Sequence, residues 1–358
     1  MATPIQSREI NEDKMNQFLG KVVGDFGASL SSSLAYIGQK LGLYKALAAN
    51  GPLTPAELAE KTDTTERYVR EWLVNQASGG YVEYDPATQR YTLSPEQAVA
   101  LTDEQSPFFV GGGFFVVKAM GQAVERIESH FRNGGGMLWG EHHPDLFIGV
   151  EKFFRPGYTA HLVASWIPAL DGVEEKLKTG AKVADIGCGH GASTIIMAKA
   201  FPNSEFWGFD NHEASIEYAR RAAEEAGVAD RVHFEVASAQ ELPNQQFDLV
   251  AFFDCLHDMG DPAGAARRAA EVLKADGTAL IVEPMAGNNV EENFNPVGRT
   301  FTGASTLCCT ANSLALDGPA LGAVASEDRL REVVLSGGFK QFRRATETPF
   351  NRVFEARK

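Results

Sequence analysis

The sequence predicts an α/β fold: an open, mostly parallel sheet with an antiparallel hairpin at its carboxyl end, preceded by a smaller helical module and a helical linker. Three observations carry this. From about residue 176 onward, strand-like apolar runs alternate with helically spaced ones. A glycine-rich turn joins the first of those runs to a helix, and the last two runs, 339–345 and 352–356, follow one another with no helix between them.

With 358 residues the chain is long enough for two domains, and its net charge of -14 limits its partners. Such a surplus of acid repels phosphate backbones and anionic lipid surfaces. Nucleic acid and membrane are therefore not expected, and a small neutral or cationic molecule is. Cys188, Cys255, Cys308 and Cys309 make no C-x-x-C pair, and no secretory segment or long apolar run is recognisable. The expectation is a cytoplasmic protein with reduced thiols.

Residues 1–24 are polar and mixed in charge and are expected to form a partly ordered arm. In 25–100, Leu34, Ile37, Leu41, Leu43 and Leu47 mark an amphipathic helical run closing at Asn50-Gly51. Thr54-Pro55-Ala56-Glu57 is a capping box with proline at the first helical position. A helix over 65–78 buries Val69, Trp72 and Leu73, and Gly79-Gly80 then leads into strands over 81–84 and 91–93. That succession is a winged helix-turn-helix. A helix that reads DNA should be basic, whereas Glu66 and Glu71 offset Arg67 and Arg70, so DNA binding is disfavoured.

Residues 101–175 carry a heavy aromatic load and the glycine triplets 111–113 and 134–136, and are expected to form a helical lid. Most of the aromatics serve as core; Trp139 and Tyr158 are the candidate substrate-binding residues. Glu141, His142, His143 and Asp145 crowd together, but adjacent histidines cannot both face one ion from a regular helix, so no metal site is expected.

The final segment, 176–358, opens on Val183-Ala184-Asp185-Ile186-Gly187-Cys188-Gly189-His190-Gly191. Glycine at 187 and 189 permits positive φ and close approach of a ligand, and the helix that follows points free N–H groups above the sheet edge. The glycines are spaced G-x-G-x-G rather than G-x-G-x-x-G, and Asp185 would repel a pyrophosphate. A nicotinamide-dependent oxidoreductase is the weaker reading for that reason. Asp210 closes the next strand, placed as the acid that takes a ribose diol, with Asn211 beside it.

Together these features resemble the class I S-adenosylmethionine-dependent methyltransferases, and the resemblance implies a Rossmann-like sheet. It also implies cofactor contacts from Asp185, Gly187, Cys188, Gly189, Asp210 and Asn211, from Ala237, Ser238 and Ala239 at the end of the third strand, and from Phe253 and Asp254 at the end of the fourth. The winged helix before such a domain is similar to the dimerisation domain of plant and bacterial small-molecule O-methyltransferases, which implies a homodimer. Leu256-His257-Asp258 with Asp261 resembles their H-D-x-x-D segment, in which the histidine is the general base; Met259 stands where they usually carry tryptophan. His257 is thus either a base or a packing residue at a helix start, and Glu283 either orients it or is a buried structural carboxylate. An oxygen acceptor is favoured, with nitrogen or sulfur as alternatives, and a cofactor-sensing regulator built on the winged helix is the reading from outside enzymes.

Overall fold

The computed structural model of the chain describes residues 10–358. Contacts divide it into two compact units, one of the described residues up to Glu104 with Phe109–Phe114, the other of Gln105–Phe108 with Phe115–Lys358. The first unit contains α1 (Glu12–Lys40), α2 (Leu43–Asn50), α3 (Pro55–Thr62), α4 (Glu66–Ser78), the strands β1 (Glu83–Asp85) and β2 (Arg90–Thr92), and α5 (Pro95–Thr102).

Residues 12–24, expected within an arm, are instead the first half of one continuous helix; residues 1–9 of that expectation lie outside the described residues. Asn11 accepts the Lys14 N–H, and Glu12 and Asp13 sit in the positive first turn, so local chemistry starts the helix without burial. The helix ends at Lys40 rather than at Asn50, because Gly42 takes a left-handed conformation (φ 70°) and restarts the chain as α2. Thr54 and Glu57 form the reciprocal cap. Ala35, Leu47, Leu58, Val69, Trp72 and Leu73 make the core, and Gly38 lets α1 approach α4, since a Cβ there would lie 2.5 Å from the Trp72 ring. The i,i+4 pairs Arg67–Glu71 and Arg70–Glu66 tie up the arginines of α4.

The second unit holds α7 (Val124–Asn133), α8 (Asp145–His161), α9 (Val173–Thr179), β3 (Lys182–Ile186), α10 (Ala192–Ala200), β4 (Glu205–Asp210), α11 (Glu213–Glu225) and β5 (Val232–Val236). It continues with β6 (Phe247–Phe253), α12 (Pro262–Val272), β7 (Leu273–Pro284), α13 (Pro296–Ala304), α14 (Thr310–Ala315), α15 (Glu327–Ser336), β8 (Gln341–Glu347) and β9 (Asn351–Arg357), while α6 (Gly112–Gln122) begins in the first unit.

The sheet order is β5-β4-β3-β6-β7-β9-β8, parallel through β7 and antiparallel in the two pairings of β9. One face is covered by Tyr158, Leu162 and Trp166 with α9, α10 and α11, the other by α12 and α15. The C-terminal half of the expected lid therefore shares the sheet's own core. Chain order runs outward from β3 to β5 and then jumps back to β6, so the carboxyl ends of β3 and β6 form the switch point at which a ligand crevice opens. Among the described residues no helix is long and apolar enough to cross a membrane.

Candidate functional site

After β3 the chain turns through Gly187, Gly189 and Gly191, all left-handed (φ 70°, 51° and 76°). Gly187 and Gly191 are demanded by packing: a Cβ would lie 2.8 Å from Cys255 Sγ at the first and 2.5 Å from the Phe234 ring at the second. Gly189 has no atom within 4 Å of that position, so the cradle is open there. Gly187 and Cys188 both donate their N–H to the Phe209 carbonyl, which locks the turn to β4.

Asp210 completes that lock. One carboxylate oxygen accepts the Gly189 N–H and the other the His212 N–H, both at 2.9 Å, and burial raises its pKa. Each oxygen keeps a lone pair for a further donor. Asp185 is fully buried, and Ser193 and Thr194 both donate to its Oδ2 at 2.6 Å, while Oδ1 has no partner. It ties the strand end to α10 from behind the turn, and burial pushes it up to about 6 against those two bonds. Asn211 is exposed, Ala237 donates its N–H to the Asp210 carbonyl, and Ser238 donates to Glu241. Ala239 packs against the α12 face of the sheet.

Phe253 is buried at the end of β6, and Asp254 follows in the left-handed region (φ 53°), an uncommon conformation for a residue with a Cβ. Its carboxylate accepts from Tyr158 Oη at 2.6 Å and from Asn351 Nδ2 at 2.8 Å. Burial raises Asp254 to about 8, with the Tyr158 bond acting in the opposite direction. Tyr158, expected at the substrate pocket, is 7% exposed and has its hydroxyl committed to Asp254. Asn351 had no sequence signal, since it opens a hairpin strand 97 residues away from its partner.

His257 and Glu283 come together. His257 Nδ1–H donates to Glu283 Oε2 at 2.6 Å, and the other oxygen accepts the Leu256 N–H at 3.1 Å. Both side chains are buried. Burial acts to lower the imidazole pKa, but Glu283 and the neighbouring Cys309 outweigh it and hold the ring well above its ordinary value. Asp258 is raised to about 7, again by burial. Arg352 lies opposite Glu283 in the β7–β9 register, fully buried, donating to the Pro284 and Ala325 carbonyls. Trp139 is half-buried and packs on Phe147 (ring centroids 5.4 Å apart), which in turn packs on His212 (4.5 Å), two residues past Asp210.

The crowded 141–145 segment resolves into separate contacts: Glu141 pairs with Arg126 and Asp145 with Lys118, while buried His142 has neither ring nitrogen bonded. Among the described residues no three His, Cys, Asp or Glu side chains are grouped to hold a metal. The strand ends do suit a ligand that carries positive charge. They combine an unpartnered Asp185 oxygen, an open glycine, spare Asp210 lone pairs, and carboxyls at 254 and 258 lifted by burial, which a cation would return to their charged form.

This sheet order, turn and acid pair define a methyltransferase fold. Residues 177–329 match the family described as methyltransferase domain, and residues 28–103 the family described as Rv2258c-like winged HTH domain, so the chain joins a methyltransferase domain to a winged-helix domain. It is 38% identical over 139 residues to 27-O-demethylrifamycin SV methyltransferase of Amycolatopsis mediterranei, covering 37% of this chain and 51% of that one. The chain spans about half the length of that relative. It superposes on mitomycin 7-O-methyltransferase with a TM-score of 0.73 at 20% identity, over 97% of this chain and 100% of that one. Against human N-acetylserotonin methyltransferase in complex with SAM the TM-score is 0.67 at 18% identity, over 98% and 99% of the two chains. At these identities the structures establish the fold alone.

Proposed function

We propose that the chain binds S-adenosyl-L-methionine and methylates a small molecule, at a hydroxyl or phenol oxygen in preference to nitrogen or sulfur. The observation that carries this reading is the buried His257–Glu283 pair beside an acid-lined glycine turn at the sheet's switch point. In this reading Asp210 and Asn211 hold the ribose diol, Ala237, Ser238 and Ala239 flank the adenine, and Gly187, Cys188 and Gly189 offer backbone to the amino-acid end, with Asp185 supplying charge from behind the turn. Phe253 and Asp254 wall the same end. When bound, the cofactor supplies an electrophilic methyl group on a sulfonium.

The protein's share is to align the acceptor, exclude water and remove a proton. His257 takes the acceptor proton at Nε2, while Glu283 holds Nδ1–H and so fixes the tautomer and steadies the cation that forms. A histidine already protonated in the free protein cannot do this, and Glu283 favours that protonated form. A positively charged ligand among the surrounding carboxyls opposes it and frees the ring to act as a base. Trp139 and Phe147 suit a planar acceptor, the class that the oxygen preference favours. The names of the two O-methyltransferases point the same way.

We infer that the first unit serves self-association rather than DNA binding. Phe18, Val23, Phe26 and Leu30 run along α1 at 62–67% exposure, an apolar stripe that a second copy would cover. The four unpaired cysteines support a cytoplasmic setting.

Calorimetric titration tests the cofactor. S-adenosyl-L-homocysteine is expected to bind and NAD(P) is not; the reverse would end the reading. His257→Ala should leave that binding nearly intact while slowing methyl transfer to a panel of phenols by about two to four orders of magnitude. Unchanged turnover would remove His257 as the base.

A further inference from the structure

The carbonyls of His257, Asp258 and Met259 are all capped from one segment, 311–322. Gly322 N–H donates to His257 at 3.1 Å, Asn312 Nδ2 to Asp258 at 2.9 Å, and Ser313 Oγ to Met259 at 2.9 Å. The same segment holds the stretch leading to Trp139. Met137 N–H donates to the Ala311 carbonyl at 3.0 Å, and Trp139 N–H to Asn312 Oδ1 at 2.8 Å. Gly136 lies so close to α14 that a Cβ would be 2.2 Å from Ala315 N. Among the described residues Asn312 is the one side chain bonded to both partners, with its amide oxygen on the aromatic wall and its amide nitrogen on the histidine turn. It is 8% exposed, and both ends of the amide are used.

We propose that Asn312 is a positioning residue: it sets the Trp139–Phe147 wall at a fixed place relative to His257, so that an acceptor held by the wall meets the base. The inference rests on the methyltransferase reading. On its other side the wall touches His212, whose N–H is bonded to Asp210, the residue assigned to the ribose. The wall is thereby tied at one end to the Asp210 loop by ring packing and at the other to the histidine turn by Asn312, so that a ligand at Asp210 orders the wall only while Asn312 holds the far end. A carboxylate in place of the amide would keep the acceptor for Trp139 and set an oxygen against the Asp258 carbonyl, which makes Asn rather than Asp the residue this joint needs.

Amide hydrogen exchange on the full chain, with and without S-adenosyl-L-homocysteine, tests the joint without an acceptor. In the wild-type protein the ligand should slow exchange in 136–142 as well as at the strand ends. In Asn312→Ala the ligand should still bind within about twofold of wild type, the Trp139 amide should exchange about two- to tenfold faster, and the ligand should no longer protect 136–142. Asn312→Asp, the second variant should the first fail to fold, should keep the Trp139 amide slow and speed exchange only in 255–260. Persisting ligand protection of 136–142 in Asn312→Ala would overturn the proposal. So would uniform acceleration over the whole second unit, which would make Asn312 a residue of general stability. If S-adenosyl-L-homocysteine fails to bind the wild-type protein, the methyltransferase reading falls, while the unliganded exchange of the two variants still decides whether Asn312 joins wall and turn.

Discussion

Replacing Glu283 by Gln keeps the shape of the site and removes one charge, and the structure fixes what should follow. The His257 and Glu283 side chains are 4% and 1% exposed and 2.6 Å apart, so solvent screens the pair little. Breaking a buried ion pair costs about 3–5 kcal/mol when the remaining charge has no outlet. His257 has one, because it can release its proton, so that at alkaline pH only the difference between a charged and a neutral hydrogen bond remains, about 1–2 kcal/mol. The folded-state pKa of His257 is raised above its ordinary value. The stabilisation is therefore fully present below about pH 6.5 and is lost as pH rises through the folded pKa. The variant should be about 3–5 kcal/mol less stable than wild type at pH 6, and the gap should narrow by pH 9. Denaturant unfolding at the two pH values measures the gap. Histidine Cε1–H resonances, with His257 assigned from a His257→Gln control, report its titration moving to lower pH in Glu283→Gln. Burial favours the neutral ring once the carboxylate is gone. A stability gap independent of pH, or a His257 titration that stays in place, would refute the pairing as the source of the shift.

Asp185, Asp254 and Asp258 are raised to about 6, 8 and 7 by burial, so between about pH 4 and 8 the native chain holds more protons than the unfolded one. Stability should then fall as pH rises through that window, and S-adenosyl-L-methionine should release protons on binding at pH 7, read by calorimetry in two buffers of different ionisation enthalpy; no release would contradict the cationic-ligand reading. On α1, Phe18→Glu combined with Phe26→Glu should give a folded monomer by light scattering, because both rings are exposed in the single chain; a dimer of unchanged mass would show that self-association uses another surface.

What the sequence disclosed and what it concealed divides along a physical line. Gly187, Gly189 and Gly191 answer local demands, positive φ and close approach, and Thr54 with Glu57 answers the demand of orphan amides at a helix start; such needs show in a few neighbouring residues. Alternating strands and helices gave the sheet for the same reason. The full reach of α1 was concealed because its apolar stripe faces away from the single chain's core, so no burial pattern separates helix from arm. The Tyr158–Asp254–Asn351 and Trp139–Asn312–Asp258 links were concealed because they join residues from 54 to 173 positions apart, and a side chain's partner at such a distance is chosen by the fold rather than by its neighbours. Asp185 lies between these cases. A carboxylate at a strand end followed eight and nine residues later by Ser193 and Thr194 at a helix start is a local sign that those hydroxyls will occupy one of its oxygens. That leaves a single oxygen for any ligand. The acid best placed to grip one directly is then Asp210, whose two bonds are to backbone N–H groups of the turns it closes.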